Sequence, residues 1–137
     1  MLNTAKEIMH RHTFVPEDAT VRDVAKLMTQ RRIGSVLVKT KRGIGILTER
    51  DITGKVVIEA LDPNKMKAGD IMTFPVKTVE ADAEIYEVCG IFSENDFRRL
   101  PVVENGQVIG IITTRDIVKQ FVPELVKNVY HFKDFRF

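Results

Sequence analysis

The chain repeats itself, and that repeat limits what it can fold into. Gly45-Ile46-Leu47-Thr48-Glu49-Arg50-Asp51-Ile52 returns as Gly110-Ile111-Ile112-Thr113-Thr114-Arg115-Asp116-Ile117. Upstream, Ile8-Met9 matches Ile71-Met72 and Asp18-Ala19 matches Asp82-Ala83, at spacings of 63 and 64 residues, against 65 for the Thr-x-Arg-Asp-Ile units. Two single-residue insertions in the second half explain the drift: one between Met72 and Asp82, one near Arg98. Self-similarity at this period means two copies of one supersecondary unit. Each copy has roughly 60 residues, a size at which burial is marginal, so the halves are expected to share a core.

Composition narrows the class. Apolar residues make up 44% and charged residues 29% of 137, ordinary for a soluble globular chain. A net charge of +2 is too small to argue for nucleic acid or a membrane surface. No apolar run is long enough to span a bilayer. The N-terminus lacks a signal-peptide core, and one cysteine excludes an internal disulfide framework. The expectation is a reduced, cytoplasmic protein.

Periodicity then gives the elements of each copy. Val21, Val24, Ala25 and Met28 fall on one helical face, and Ile85, Val88, Cys89 and Phe92 repeat it. Cys89 stands where Ala25 stands and reads as a small core residue. Next come Ser35–Val38 and Ile44–Leu47, answered by Leu100–Val103 and Val108–Ile112. Asn105-Gly106 between apolar runs signals a hairpin. The runs are almost continuously apolar, so both sheet faces are expected to be covered. His12–Val15 and Val76–Val79 are expected to add a third strand to each sheet. A helix follows each Thr-x-Arg-Asp. The first presents Ile52, Val56, Val57, Ala60 and Leu61 up to Pro63. The second presents Ile117, Val118, Phe121 and Val122, and Pro123 is expected to break or restart it. Beyond Pro123, Leu125, Val126, Val129 and Tyr130 mark another amphipathic helix. The tail carries Phe132, Phe135 and Phe137, aromatics that read as a dimer contact.

Each Thr-x-Arg-Asp places a hydroxyl, a guanidinium and a carboxylate at the start of a helix. That set suits a sugar phosphate. The same spacing is also a helix capping box, in which Thr48 caps the backbone of Asp51 and Asp51 reaches back. The two roles are compatible, and spacing does not choose between them. Arg31-Arg32 and Lys39–Arg42 read as solvated surface. His10, His12 and His131 have no metal-ligand spacing with Cys89. No catalytic constellation stands out, so the chain is read as a binding module and not an enzyme.

The order helix, strand, strand, helix with Gly-Ile-Leu-Thr-x-x-Asp-Ile resembles the cystathionine-β-synthase (CBS) domain, and the tandem resembles the CBS pair, or Bateman module. Ile8-Met9, Ile71-Met72, Leu100-Pro101-Val102-Val103 and Gly110–Asp116 carry the resemblance, from about Ala5 to Val122. It implies an α/β (α+β) fold of two CBS-type repeats, each a small three-stranded sheet with helices, packed about a pseudo-twofold axis. The divisions are residues 1–62, 63–122 and a C-terminal extension 123–137.

The resemblance also implies two clefts for adenine nucleotides or related adenosyl ligands, AMP, ADP, ATP or S-adenosylmethionine, with no cofactor required. The first cleft would use Thr48, Arg50 and Asp51, walled by Val76, Lys77, Thr78, Arg98, Arg99 and Pro101. The second would use Thr113, Arg115 and Asp116, with Ile111 on the strand leading in, walled by Thr13, Phe14, Ile33, Gly34 and Ser35. On this assignment the basic pair Arg98-Arg99 would favour phosphate at the Asp51 cleft. In the chemistry so implied, Asp would take ribose hydroxyls. Thr and the helix N-terminus would meet phosphate, and Arg would pair with it bidentately. A homodimer and a separate regulated protein are the expected partners. The contrasting function is a ligand-free dimerisation or protein-interaction module.

Overall fold

The computed structural model describes residues 3–129, with side chains through Pro123. From the N-terminus, α1 (Ala5–Ile8) precedes β1 (Phe14–Pro16), α2 (Val21–Arg31), β2 (Ser35–Thr40) and β3 (Gly43–Thr48). Then follow α3 (Glu49–Ile52), a π-helical turn (Thr53–Val57), α4 (Ala68–Ile71), β4 (Val79–Glu80), α5 (Ile85–Glu94), β5 (Arg99–Glu104), β6 (Gln107–Thr113) and α6 (Thr114–Val129).

Two three-stranded sheets of the same topology result, β1-β2-β3 and β4-β5-β6. In each, a short strand lies parallel to the first arm of an antiparallel hairpin. The Asn105-Gly106 turn forms because both residues take positive φ, 52° and 76°, which Asn and Gly tolerate and a two-residue hairpin needs. Glu104 and Gln107 pair directly across it. The third strands are shorter than the apolar runs suggest: β4 holds only Val79 and Glu80, leaving Val76, Lys77 and Thr78 outside regular structure.

Packing divides the chain differently from the repeat. One unit spans His12–Val76, and the other joins the residues up to Arg11 to those from Lys77 on. The repeat therefore counts from Ile-Met to Ile-Met, but each unit takes its Ile-Met from the other repeat. In the first unit, Ala68 N–H donates to Ala19 O (2.8 Å) and Gly69 N–H to Glu17 O (2.9 Å). In the second, Ala5 N–H donates to Ala83 O (2.8 Å) and Lys6 N–H to Ala81 O (3.0 Å). Glycine makes the docking possible. A Cβ on Gly45 would press into Met72 Sδ and lie 3.0 Å from Thr73 O, and one on Gly110 would press into Met9 Sδ and lie 3.0 Å from His10 O. The recurring Ile-Met and the recurring strand glycine thus fit each other.

Each unit has its own core. Val15, Val21, Val24, Met28, Val36, Val38, Leu47, Val56, Ala68 and Ile71 fill the first. Ala5, Val79, Ala81, Ala83, Ile85, Val88, Leu100, Val102 and Ile112 fill the second, with Cys89 and Phe92 packed against it. Leu37 and Ile46, cross-strand partners on the other sheet face, are also buried, as are their counterparts Pro101 and Ile111. Both faces of each hairpin are covered, as the continuous apolar runs require.

Two helices depart from expectation. After Asp51 the chain winds as a π-helix, with Ile58 N–H donating to Thr53 O and Leu61 N–H to Val56 O, both five residues back. The wider turn moves the apolar residues out of phase. Ile52 packs against the core and Val56 is buried in it, whereas Val57, Ile58 and Leu61 are exposed. The helical segment closes at Ala60, whose φ is 55°, ahead of Pro63. Conversely, α6 runs straight through Pro123 to Val129 and does not restart there. The proline loses the bond its N–H would make to Lys119 O, but the bonds on either side carry the helix on. Tyr130 and the phenylalanine tail lie outside the described residues.

Candidate ligand-binding site

Each Thr-x-Arg-Asp sits at a strand-to-helix turn, with Thr48 and Thr113 ending β3 and β6. Both form the reciprocal capping box. Asp51 Oδ2 accepts from Thr48 N–H (2.9 Å) and Thr48 Oγ1 (3.1 Å), and Asp51 N–H donates back to Thr48 Oγ1 (3.3 Å). Asp116 Oδ2 accepts from Thr113 N–H (2.8 Å) and Oγ1 (3.0 Å), and Asp116 N–H donates to Thr113 Oγ1 (3.1 Å). These bonds satisfy orphan donors of the first helical turn. They also hold each carboxylate in a fixed place, and Asp51 is only 9% exposed. Arg50 and Arg115, by contrast, are exposed. Among the described residues neither makes an ion pair, so each guanidinium is available to an anion.

The carboxylates differ in their next partner. Asp51 Oδ1 pairs with Lys55 Nζ at 3.1 Å, one turn further on, and the same ammonium donates to Ile71 O at 2.8 Å. Asp116 Oδ2 meets His10 Nδ1 at 2.7 Å. An ionised carboxylate has no proton to give, so Nδ1 is the donor. Burial pushes the Asp116 carboxyl up. The hydrogen bonds from His10 and Thr113 and the charge on His10 outweigh it, and hold it below the usual carboxylate value. Burial pushes the Cys89 thiol up, as expected of a packing residue.

The other candidate residues divide between the units. Thr13, Phe14, Ile33, Gly34, Ser35 and Val76 share the first unit with Thr48, Arg50 and Asp51. Lys77, Thr78, Arg98, Arg99, Pro101 and Ile111 share the second with Thr113, Arg115 and Asp116. Within the first unit, Ser35 pairs with Thr48 across the ladder and Glu49 N–H donates to Gly34 O (3.1 Å). Within the second, Arg99 pairs with Thr113 and Thr114 N–H donates to Arg98 O (3.0 Å). Directly paired residues point to the same face, so Arg99 and Thr113 lie side by side. Pro101 pairs with Ile111 on the same ladder. An open groove of about 480 Å³ runs between α2 and α3, lined by Ala25, Met28, Thr29, Arg32, Ile33, Glu49, Ile52 and Thr53. Of the candidate residues only Ile33 lines it.

Sequence reading overlooked Lys55 and His10 as partners of the two aspartates. Lys55 was legible, being four residues after Asp51 on a helix. His10 was not, because 106 residues separate it from Asp116.

The CBS domain pattern matches the chain twice, at residues 5–58 and 68–123. The chain belongs to the CBS-domain family. An uncharacterized protein of Methanopyrus kandleri is 42% identical over 113 residues, 80% of this chain and 57% of that protein. The chain thus spans little more than half the length of that relative. Hypoxic response protein 1 of Mycobacterium tuberculosis is 34% identical over 126 residues, covering 90% of this chain and 87% of that one. Its crystal structure, with two coordinated zinc ions, superposes with a TM-score of 0.74, over 87% of this chain and 99% of that one at 34% identity. The hexameric CBS-CP12 protein from bloom-forming cyanobacteria gives a TM-score of 0.82 at 32% identity, over 90% of this chain and 71% of that one. Among the described residues of this CBS pair, no three His, Cys, Asp or Glu side chains gather to hold a metal ion, and no helix is long and apolar enough to cross a membrane.

Proposed function

We propose that this CBS pair is a regulatory module that binds adenine nucleotides or related adenosyl ligands at its two Thr-x-Arg-Asp turns. The supporting observation is the pre-set carboxylate at each turn, fixed by its threonine, with an exposed arginine beside it. Preorganised acceptors lose little entropy on binding a ribose diol, and an exposed guanidinium suits phosphate. Asp51 and Asp116 take the sugar hydroxyls. Arg50 and Arg115 take phosphate. Val76, Lys77, Thr78, Thr13, Phe14, Ile33, Gly34, Ser35, Pro101 and Ile111 supply walls and backbone partners for the base.

The side-by-side pairing of Arg99 with Thr113 favours giving the basic pair Arg98-Arg99 to the Asp116 turn rather than to Asp51. On that reading the Asp116 site prefers the more anionic ligand. The Asp51 turn, whose Thr48 and Glu49 meet the uncharged Ser35 and Gly34, prefers a less charged one. A thermal-shift panel with AMP, ADP, ATP, S-adenosylmethionine and NAD tests the proposal. It expects a rise in melting temperature with at least one adenosyl ligand. No shift with any at millimolar concentration would leave the ligand-free interaction module as the better reading.

One observation favours self-association beside ligand binding. Val57 and Ile58 are 67% and 72% exposed, with Leu61 nearby, and Val118 and Phe121 are exposed on α6. Exposed apolar clusters of this kind suit a contact between copies. A homodimer and a separate regulated protein are the partners proposed.

A further inference from the structure

Both carboxylates that the proposed function assigns to ribose are also tied to the segment that docks each unit's Ile-Met. In the second unit, His10 directly follows Met9 and reaches Asp116 at 2.7 Å. Its own backbone forms a two-bond bridge with β6: His10 N–H to Ile111 O (2.9 Å) and Ile111 N–H to His10 O (3.0 Å). In the first unit, Lys55 links Asp51 Oδ1 (3.1 Å) to Ile71 O (2.8 Å), immediately before Met72, and Thr73 and Ile46 exchange the matching backbone pair. The two links are chemically unrelated, an imidazole from the docked segment and an ammonium reaching towards it. Yet each joins the carboxylate of its own turn to the Ile-Met segment of its own unit.

The segments matter because of where they lead. The chain passes from one packing unit to the other immediately after His10-Arg11, and again at Val76-Lys77, a few residues beyond Thr73. A change in how either segment is held therefore acts on a junction.

The loading of Asp116 Oδ2 sets the direction of the change. It already accepts from Thr113 N–H, Thr113 Oγ1 and His10 Nδ1. A carboxylate offers about four acceptor positions over its two oxygens, so three donors on one oxygen crowd it. The two threonine bonds are short-range and built into the helix cap. His10, 47% exposed in its side chain, is the donor most readily exchanged for water or a ligand hydroxyl. We infer that the two aspartates are partner-exchange latches: a ribose diol arriving at Asp116 displaces His10 and loosens the Met9-His10 segment, with Lys55 the corresponding partner at Asp51. The inference rests on the adenosyl-ligand reading of these turns and adds to it the two states that a sensor requires.

Hydrogen exchange on the full chain, with AMP as the probe and calorimetry in parallel, tests it. In wild type, saturating AMP is expected to speed exchange of the His10 and Ile111 amides by about tenfold, the order of one lost charge-assisted bond, with β5 core amides unchanged. His10→Ala is expected to show the faster exchange without AMP and little further change with it. His10→Gln, which keeps a donor, should lie nearer wild type. If calorimetry shows AMP binding but these amides are unchanged or slowed, the latch is overturned and the ligand reading stands. If calorimetry shows no AMP binding to wild type, the ligand reading fails and the latch fails with it.

Discussion

At Asp116 the acid side of the stability curve carries information about one hydrogen-bond set. Its folded pKa lies below the ordinary value, so its contribution is fully present above the unfolded carboxylate pKa, about 3.9, and is lost as pH falls through the lowered folded value. His10→Ala removes one cause of that lowering. It is expected to reduce stability near pH 6 and to flatten the fall between about pH 5 and pH 3, as read from denaturation midpoints across that range. A curve parallel to wild type would mean the His10 bond contributes nothing. Asp51 and Thr48 test the cap in the other unit. Thr48→Ala is expected to cost about 0.5–2 kcal/mol in urea denaturation, because it removes the acceptor for Asp51 N–H and a donor to Asp51 Oδ2. These residues show how far sequence alone reached. Thr48 with Asp51 and Thr113 with Asp116 were legible as capping boxes because the geometry is local. Lys55 was within reach of the same rule. His10 was not, since nothing local links it to Asp116.

At the scale of elements, the docked Ile-Met segments depend on the strand glycines. Gly45→Ala and Gly110→Ala each place a methyl against a methionine sulfur and a backbone carbonyl. The sulfur is the end of a flexible chain and can move, but Thr73 O and His10 O belong to bridged backbone. Each substitution is expected to cost about 1–3 kcal/mol by overpacking, measured by chemical denaturation. A neutral result for both would show that the segments dock loosely. The hairpins were read correctly from apolar runs and Asn105-Gly106, because strand and turn signals act over a few residues. The helix after Asp51 was misread in phase. Counting Ile52, Val56, Val57, Ala60 and Leu61 onto one face assumes 3.6 residues per turn, and the π-helical turn at Thr53–Val57 breaks that assumption beyond Val56. Pro123 is expected to break or restart the helix because the rule concerns the lost bond at one residue, whereas α6 has neighbours enough to continue.

For the whole molecule, duplication gave the CBS pair from sequence, but the exchange of lead-in segments between repeats was hidden. Similarity marks which residues correspond, not which sheet they pack on, so repeat boundaries and the packing boundaries at Arg11-His12 and Val76-Lys77 differ. The exposed Val57 and Ile58 belong to this scale as well. Ile58→Asp is expected to shift any dimer toward monomer in sedimentation equilibrium without lowering the melting temperature of the subunit, since the side chain is 72% exposed. An unchanged mass would place the contact elsewhere. The central claim, that the Thr-x-Arg-Asp turns are adenosyl-ligand sites and not caps alone, is tested most directly by titrating AMP calorimetrically into wild type, Asp51→Ala and Asp116→Ala. The account expects heat of binding in wild type and a loss of about ten- to a hundredfold in affinity at the altered turn, larger for AMP in Asp116→Ala, beside Arg99. AMP binding of equal strength in all three proteins, each still folded, would contradict it.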